Sequence, residues 1–193
     1  LHKEYRRQRQ MCIRDRSTAC INNFAVQELN NKAKDFMDKG DYVSAIERLK
    51  SSVDLDGSVF ETQYNLAVAY TKAEDYSNAI KTYAAAIKLN PDFADAYYSL
   101  AVCEENLAKD IISGAVKVND DGTIEKVEEI DNEAEEVKVV LSDRAKETLG
   151  KLLNDAISDY GLYQDKSNEP DDRAFVDRKV KELQQLLAEN AVK

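Results

Sequence analysis

An all-α chain built from repeated helix pairs is the fold class that this sequence predicts. Three observations lead there. A block of residues recurs at a constant offset of 34 positions. Apolar residues inside the block fall at helical spacing. Gly and Pro are scarce, six and two in 193 residues, whereas an all-β chain needs many turn residues.

The first segment stands apart from the rest. Residues 1–16, LHKEYRRQRQMCIRDR, hold six basic and two acidic side chains in a chain whose net charge is -10. They contain no apolar stretch of the signal-peptide kind. The string YRRQRQMCIRDR resembles translated sequencing-adapter read-through from a metagenomic assembly, and the chain starts with Leu rather than Met. Residues 1–20 therefore read as a disordered basic tail foreign to the protein, and the chain as a fragment. A lost signal peptide or upstream domain is part of that expectation.

The repeat starts near Val26. Ala33, Ala67 and Ala101 are successive members of one series, and Leu29, Gln63 and Tyr97 of another. The same offset pairs Phe36 with Tyr70, Asp41 with Asp75, Tyr42 with Tyr76 and Ala45 with Ala79. It also pairs Ile46 with Ile80, Leu49 with Tyr83, Val53 with Ile87 and Leu55 with Leu89. Asp41 and Asp75 stand where a carboxylate caps a helix N-terminus. Lys39-Gly40 supplies the turn before the first of them. Ala73-Glu74 must make the second turn without glycine, which predicts strain or a different shape there. Asn90-Pro91 stops the helix before it. The boundaries are 26–59, 60–93 and a third copy from 94.

A 34-residue unit with this pattern resembles the tetratricopeptide repeat, TPR, an antiparallel helix pair. Leu66, Ala67, Tyr70, Ala79, Tyr83, Ala86 and Pro91 carry the resemblance in the middle copy. The first copy departs at Lys32 and Ser52. The third keeps Tyr97, Leu100 and Ala101 but has Glu104 where an aromatic is expected. The resemblance implies a helix-turn-helix solenoid over residues 21–110, with helices stacked side by side.

After Ala108 the pattern is lost. Val116 and Val118 alternate, Asp121-Gly122 signals a turn and Ile124 follows, which predicts a short β-hairpin or an irregular loop. The run EKVEEIDNEAEE from Glu125 reads as solvated. Residues 111–141 are thus an acidic insert expected to loop out of the solenoid. Leu149, Leu152, Leu153, Ala156, Ile157 and Tyr160 then line one helical face, the delayed second helix of a split third repeat. Gly161 and the polar run Gln164 to Pro170 should break the chain. A C-terminal capping helix follows, with Phe175, Val176, Val180, Leu183, Leu186 and Leu187 on one side; residues 142–193 hold both helices. Val176, Val180, Leu183 and Leu187 also have coiled-coil steps, a route to homo-oligomers.

Composition excludes several functions. An acidic chain repels a nucleic-acid backbone, leaving only the basic tail as a candidate nucleic-acid arm. No apolar run reaches a membrane span. One His (His2) and three dispersed Cys (Cys12, Cys20, Cys103) leave little for His-based catalysis, zinc or an even disulfide set. Asn119, Asp121, Gly122 and Glu128 match part of a calcium-loop spacing, but Lys117 occupies the first ligand position and opposes the ion. Cys103 reads as a buried thiol. Glu104 and Glu105 are neighbours on a helix, so they point apart and make a poor acid–base pair. No cofactor and no catalytic residue is assigned, and the chain is read as not an enzyme.

The TPR resemblance implies a partner-binding concave face lined by the first helix of each pair. That face carries Asn30, Lys34 and Met37, then Tyr64, Asn65, Val68, Thr71 and Lys72, then Tyr98, Val102, Glu105 and Asn106. Tyr64 with Tyr98 and Val68 with Val102 suggest an apolar strip, which the insert or the C-terminal helix could instead cover. Some members clamp a chaperone's C-terminal carboxylate with Lys, Asn and Arg. Here Asn65 fits one clamp position, but Asn30 replaces a Lys, Lys34 an Asn, and Asp95 and Ser99 the last Lys and Arg. The expectation is a protein–protein interaction scaffold or adaptor that binds a peptide or helical segment. The alternative is a helical accessory region of a larger protein whose catalytic or anchoring part lies upstream. The compartment leans cytoplasmic, or periplasmic if a signal peptide was lost.

Overall fold

In the computed structural model, which describes residues 23–127, 140–167 and 172–190, the chain divides into two units between Ala73 and Glu74. The first holds helices α1 (residues 23–38), α2 (Tyr42–Leu55) and α3 (Phe60–Lys72). The second holds α4 (Tyr76–Leu89), α5 (Ala94–Ser113), β1 (Val116–Val118), β2 (Ile124–Lys126), α6 (Asp143–Lys166) and α7 (Arg173–Asn190). The basic tail of residues 1–20 and most of the acidic run, with Cys12, Cys20 and Glu128, lie outside the described residues. Among the described residues no helix is long and apolar enough to cross a membrane.

Capping by aspartate sets two of the helix starts. Asp41 Oδ1 accepts from the Ser44 N–H at 3.1 Å, and Asp75 Oδ1 from the Asn78 N–H at 3.2 Å. Each answers a backbone donor that the first helical turn cannot satisfy, an effect of about 1 kcal/mol. The turns before these caps share a left-handed residue, so of the two alternatives for the second turn it is strain that the structure shows. Gly40 has φ 76°, and Glu74, one period later, is held at φ 56°. Glycine adopts that left-handed geometry freely, whereas a residue with a Cβ is strained there.

In the first unit, Ala33 of α1, Ala45 and Leu49 of α2, and Leu66 and Ala69 of α3 form the core, with Phe36, Met37, Ile46, Val53 and Tyr70 at its edge. In the second unit α5 packs on α4 and α6, and α7 packs on α6. Tyr97, Ala101, Leu107, Ala108, Leu149, Leu153, Ala156 and Tyr160 are among its buried residues.

Three expectations are corrected in the second unit. Residues 111–113 complete α5, and Ile111, Val116 and Val118 are buried with Ala108, Ala145 and Leu149, so this part of the insert joins the core instead of looping away. The hairpin does form: β1 and β2 pair antiparallel with Val116 opposite Lys126 and Val118 opposite Ile124. Gly161 does not interrupt α6, which runs on to Lys166 because Tyr163 buries a further ring one turn later. On α7, Val176 and Leu183 are buried while Phe175 is 41% exposed, so Phe175 lies off the packing face.

Two substitutions test the turn reading. Gly40→Ala should cost about 1 kcal/mol, and Glu74→Gly should stabilise by up to about 1 kcal/mol by relieving the left-handed backbone. Urea unfolding midpoints of both variants check the opposite signs.

Candidate functional site

The residues expected to meet a partner separate by unit. On α1, Lys34 is exposed and Met37 half-buried against the first core. Asn30 is tied to the neighbouring helix: its Nδ2 donates to Thr62 Oγ1 at 2.8 Å, and its buried Oδ1 has no hydrogen-bond partner. On α3, Tyr64 stacks on Phe60 with ring centroids 5.8 Å apart. Asn65 and Lys72 are exposed and Val68 is half-buried. Thr71 Oγ1 donates back to the Ala67 carbonyl at 2.9 Å, one turn earlier. Tyr64, Asn65, Val68 and Lys72 recur at helical spacing, so one stretch of α3 presents an aromatic, an aliphatic, an amide and a cation.

In the second unit the corresponding residues are more engaged. Tyr98 packs against the rings of Tyr160 and Tyr163 from α6, at 5.8 and 5.2 Å between centroids. Val102 packs against the second core, and Asn106 is half-buried. Beside this cluster Lys166 Nζ sits 5.5 Å from the Tyr97 ring centroid and 3.4 Å from Asp92. The Tyr163 hydroxyl donates to Asp172 at 2.6 Å, joining α6 to the entry of α7.

Glu105 corrects the sequence reading most clearly. It was expected to contact a partner, but it is 4% exposed. Its carboxylate accepts from the Tyr160 hydroxyl at 2.9 Å, from Lys179 Nζ of α7 at 2.8 Å, and from Lys109 one turn along α5. Burial by itself would raise its pKa. The hydrogen bonds from Lys109, Lys179 and Tyr160 outweigh burial and hold it below the ordinary glutamate value. Lys179 is shifted upward chiefly by its bond to Glu105. Burial pushes the Tyr160 phenol up, with the Glu105 charge adding to it. Glu105 thus ties α5, α6 and α7 together and is spent on packing. The sequence places Tyr160 only on an apolar face and gives Lys179 no distinguishing pattern. The available signal was Glu105 itself, a charge among Leu100, Ala101 and Leu107 that needed a partner.

The calcium pattern is absorbed by the hairpin. The segment holding Asn119, Asp121 and Gly122 joins two strands, where a calcium loop of that type joins helices. The Thr123 N–H and hydroxyl both donate to Asp121 Oδ1, at 2.9 and 2.7 Å. Among the described residues no group of three or more metal-binding side chains converges. The Cys103 thiol is fully buried in α5.

Residues 69–103 match the TPR repeat family. No curated protein matches the chain. Solved structures with a similar fold include the first TPR of Spaghetti (RPAP3) bound to HSP90 peptide SRMEEVD. It shares 17% identity at TM-score 0.55, with 84% of this chain and 93% of that one covered. The Arabidopsis OM64 TPR domain aligns at TM-score 0.56 and 13% identity, covering 85% and 98%. The second TPR domain of human RPAP3, in complex with HSP70 peptide SGPTIEEVD, aligns at TM-score 0.53 and 17% identity, covering 84% and 98%. The chain therefore carries a TPR repeat and has the all-α TPR fold.

The Glu105 junction generates a stability prediction. Lys179→Met should destabilise the second unit by about 1–2 kcal/mol, since Lys109 still answers part of a buried charge. Because the Glu105 pKa is depressed on folding, its contribution is present at neutral pH and is lost as pH falls through its folded value. Urea titrations at pH 7 and pH 3 should show the variant's deficit shrinking in acid.

Proposed function

We propose that this chain is a non-catalytic protein-interaction scaffold that takes an extended or helical segment of a partner protein. The observation that carries the reading is the face of α3, where Tyr64, Asn65, Val68 and Lys72 remain accessible on a TPR fold. An aromatic and an aliphatic contact beside an amide and a cation suit an amphipathic segment. Lys34, Met37 and Thr71 extend that surface in the first unit, and Tyr98, Val102 and Asn106 are the candidates in the second. Peptide-bound TPR structures of similar fold support the class of ligand. Glu105 is left out, because its carboxylate is consumed inside the protein.

The peptides in those structures, SRMEEVD and SGPTIEEVD, end in a carboxylate. Here the exposed Asp95 stands in the first turn of α5, where the carboxylate-clamping members carry a cation. Like charges disfavour such a tail. The ligand favoured by this chain is an internal segment with apolar anchors and no need of a terminal carboxylate.

Peptides selected from a displayed library on the full chain provide the test, with affinity read by fluorescence anisotropy. Tyr64→Ala should weaken a selected peptide by about tenfold or more, while circular dichroism stays that of the parent. Unchanged affinity would remove the α3 face from the reading. SRMEEVD should bind weakly, and Asp95→Lys should strengthen it by about three- to tenfold at low salt.

A further inference from the structure

We propose that Glu104 of α5, with Asp159 and Asp155 of α6, forms a proton-operated clasp between the two helices. One shared proton holds it closed most firmly in acid, and the hold weakens steadily as pH rises toward alkali. Glu104 occupies the position held by Phe36 and Tyr70 in the earlier copies, so a carboxyl group replaces an aromatic ring at a packed site. It is 4% exposed, between the fully buried Cys103 and the buried Glu105. Its side chain hydrogen-bonds Asp159 across the α5–α6 contact. Two carboxyl groups make such a bond only if one keeps its proton. Glu104 Oε2 is buried with no hydrogen-bond partner, which a neutral acid tolerates far better than an ionised one.

The surroundings decide which group holds the proton. Asp155 lies one turn before Asp159 and adds negative charge, while Lys151 of the same helix opposes it. The cations that could otherwise answer Glu104 are taken, since Lys109 of α5 and Lys179 of α7 both pair with Glu105. From α4, on the other flank of α5, Tyr76 lies near Glu74, Asp110 and Cys103. Lys117 of β1 is exposed. Burial first, then the charges of Asp159 and Asp155, push Glu104 up to about 9. Asp159 is raised to about 6, by burial and then by Asp155. The proton therefore sits on Glu104, which donates to Asp159.

The sign follows from the raised value. A carboxyl group that binds its proton more tightly folded than unfolded stabilises most at low pH, and that contribution is lost as pH rises toward its folded pKa. Below that value the folded chain holds one proton more than the unfolded chain. The equilibrium for opening this junction should thus rise by up to about tenfold per pH unit from above the ordinary glutamate range up to about 9, where the folded chain gives up the proton too.

Hydrogen exchange of the full chain from pH 6 to 9, corrected for intrinsic exchange rates, reads the clasp directly. In the parent protein, protection of the α5 and α6 amides should fall by up to about tenfold per pH unit between 7 and 9. Glu104→Gln keeps a neutral donor toward Asp159 and should flatten that dependence. Retention of the parent slope in Glu104→Gln would overturn the proposal. If that variant does not fold, Asp155→Asn serves instead: it removes one of the charges that raise Glu104, so the fall in protection should level off at a lower pH than in the parent. A levelling-off at the parent's pH would overturn the proposal equally.

Discussion

Helices in this chain meet at positions where only a methyl group fits. Ala45, Ala69, Ala79, Ala86, Ala96, Ala101 and Ala108 all have no exposed surface. Leu49, Tyr83, Leu153 and Tyr160, themselves buried, fill the spaces that this close approach leaves. Burying one such side chain stabilises by about 1.5–3 kcal/mol. That gain requires the helices to lie near enough for the larger residues to interlock. A larger side chain at an alanine position would separate the helices and forfeit contacts along their whole length. The 34-residue spacing of the buried Ala33, Ala67 and Ala101, and of Ala45 and Ala79, is therefore the constraint on which the repeated helix pairs depend.

The third copy obeys the same constraint with a different chemistry. Its second helix is α6, which arrives only after the hairpin and the acidic run. Two adjacent glutamates hold the junction, and their neighbours give them opposite protonation. Glu105 receives donors from α5, α6 and α7 and stays ionised. Glu104 faces two aspartates and stays neutral. Both solve the cost of a buried carboxyl group, one by pairing the charge and the other by never forming it. The consequence is a junction whose strength is tied to pH from both sides.

This division of labour also bears on binding. In the second unit the ring of Tyr98 is partly engaged with α6, and the carboxylate of Glu105 is spent on holding α6 and α7. In the first unit Tyr64, Asn65, Val68 and Lys72 keep accessible surface, which makes α3 the stronger candidate for contact with a partner. These residues lie outside the alanine seams, so function sits on the fold without being implied by it.

Much of this was legible in the sequence because periodicity is a local property. The 34-residue offset, the capping Asp41 and Asp75, the apolar face of α6 and the strained turn at Glu74 follow from neighbours along the chain. The hairpin was legible for the same reason, in the alternation of Val116 and Val118 before Asp121-Gly122. The fates of Glu104, Glu105 and Tyr98 were not. Each depends on residues of α6 or α7 that lie more than fifty positions away, such as Asp159, Tyr160 and Lys179. Sequence spacing shows which face of a helix a side chain occupies. Only the tertiary structure decides whether that face meets water, an apolar ring, a cation or another carboxylate, because burial and charge pairing are set by what folds against it.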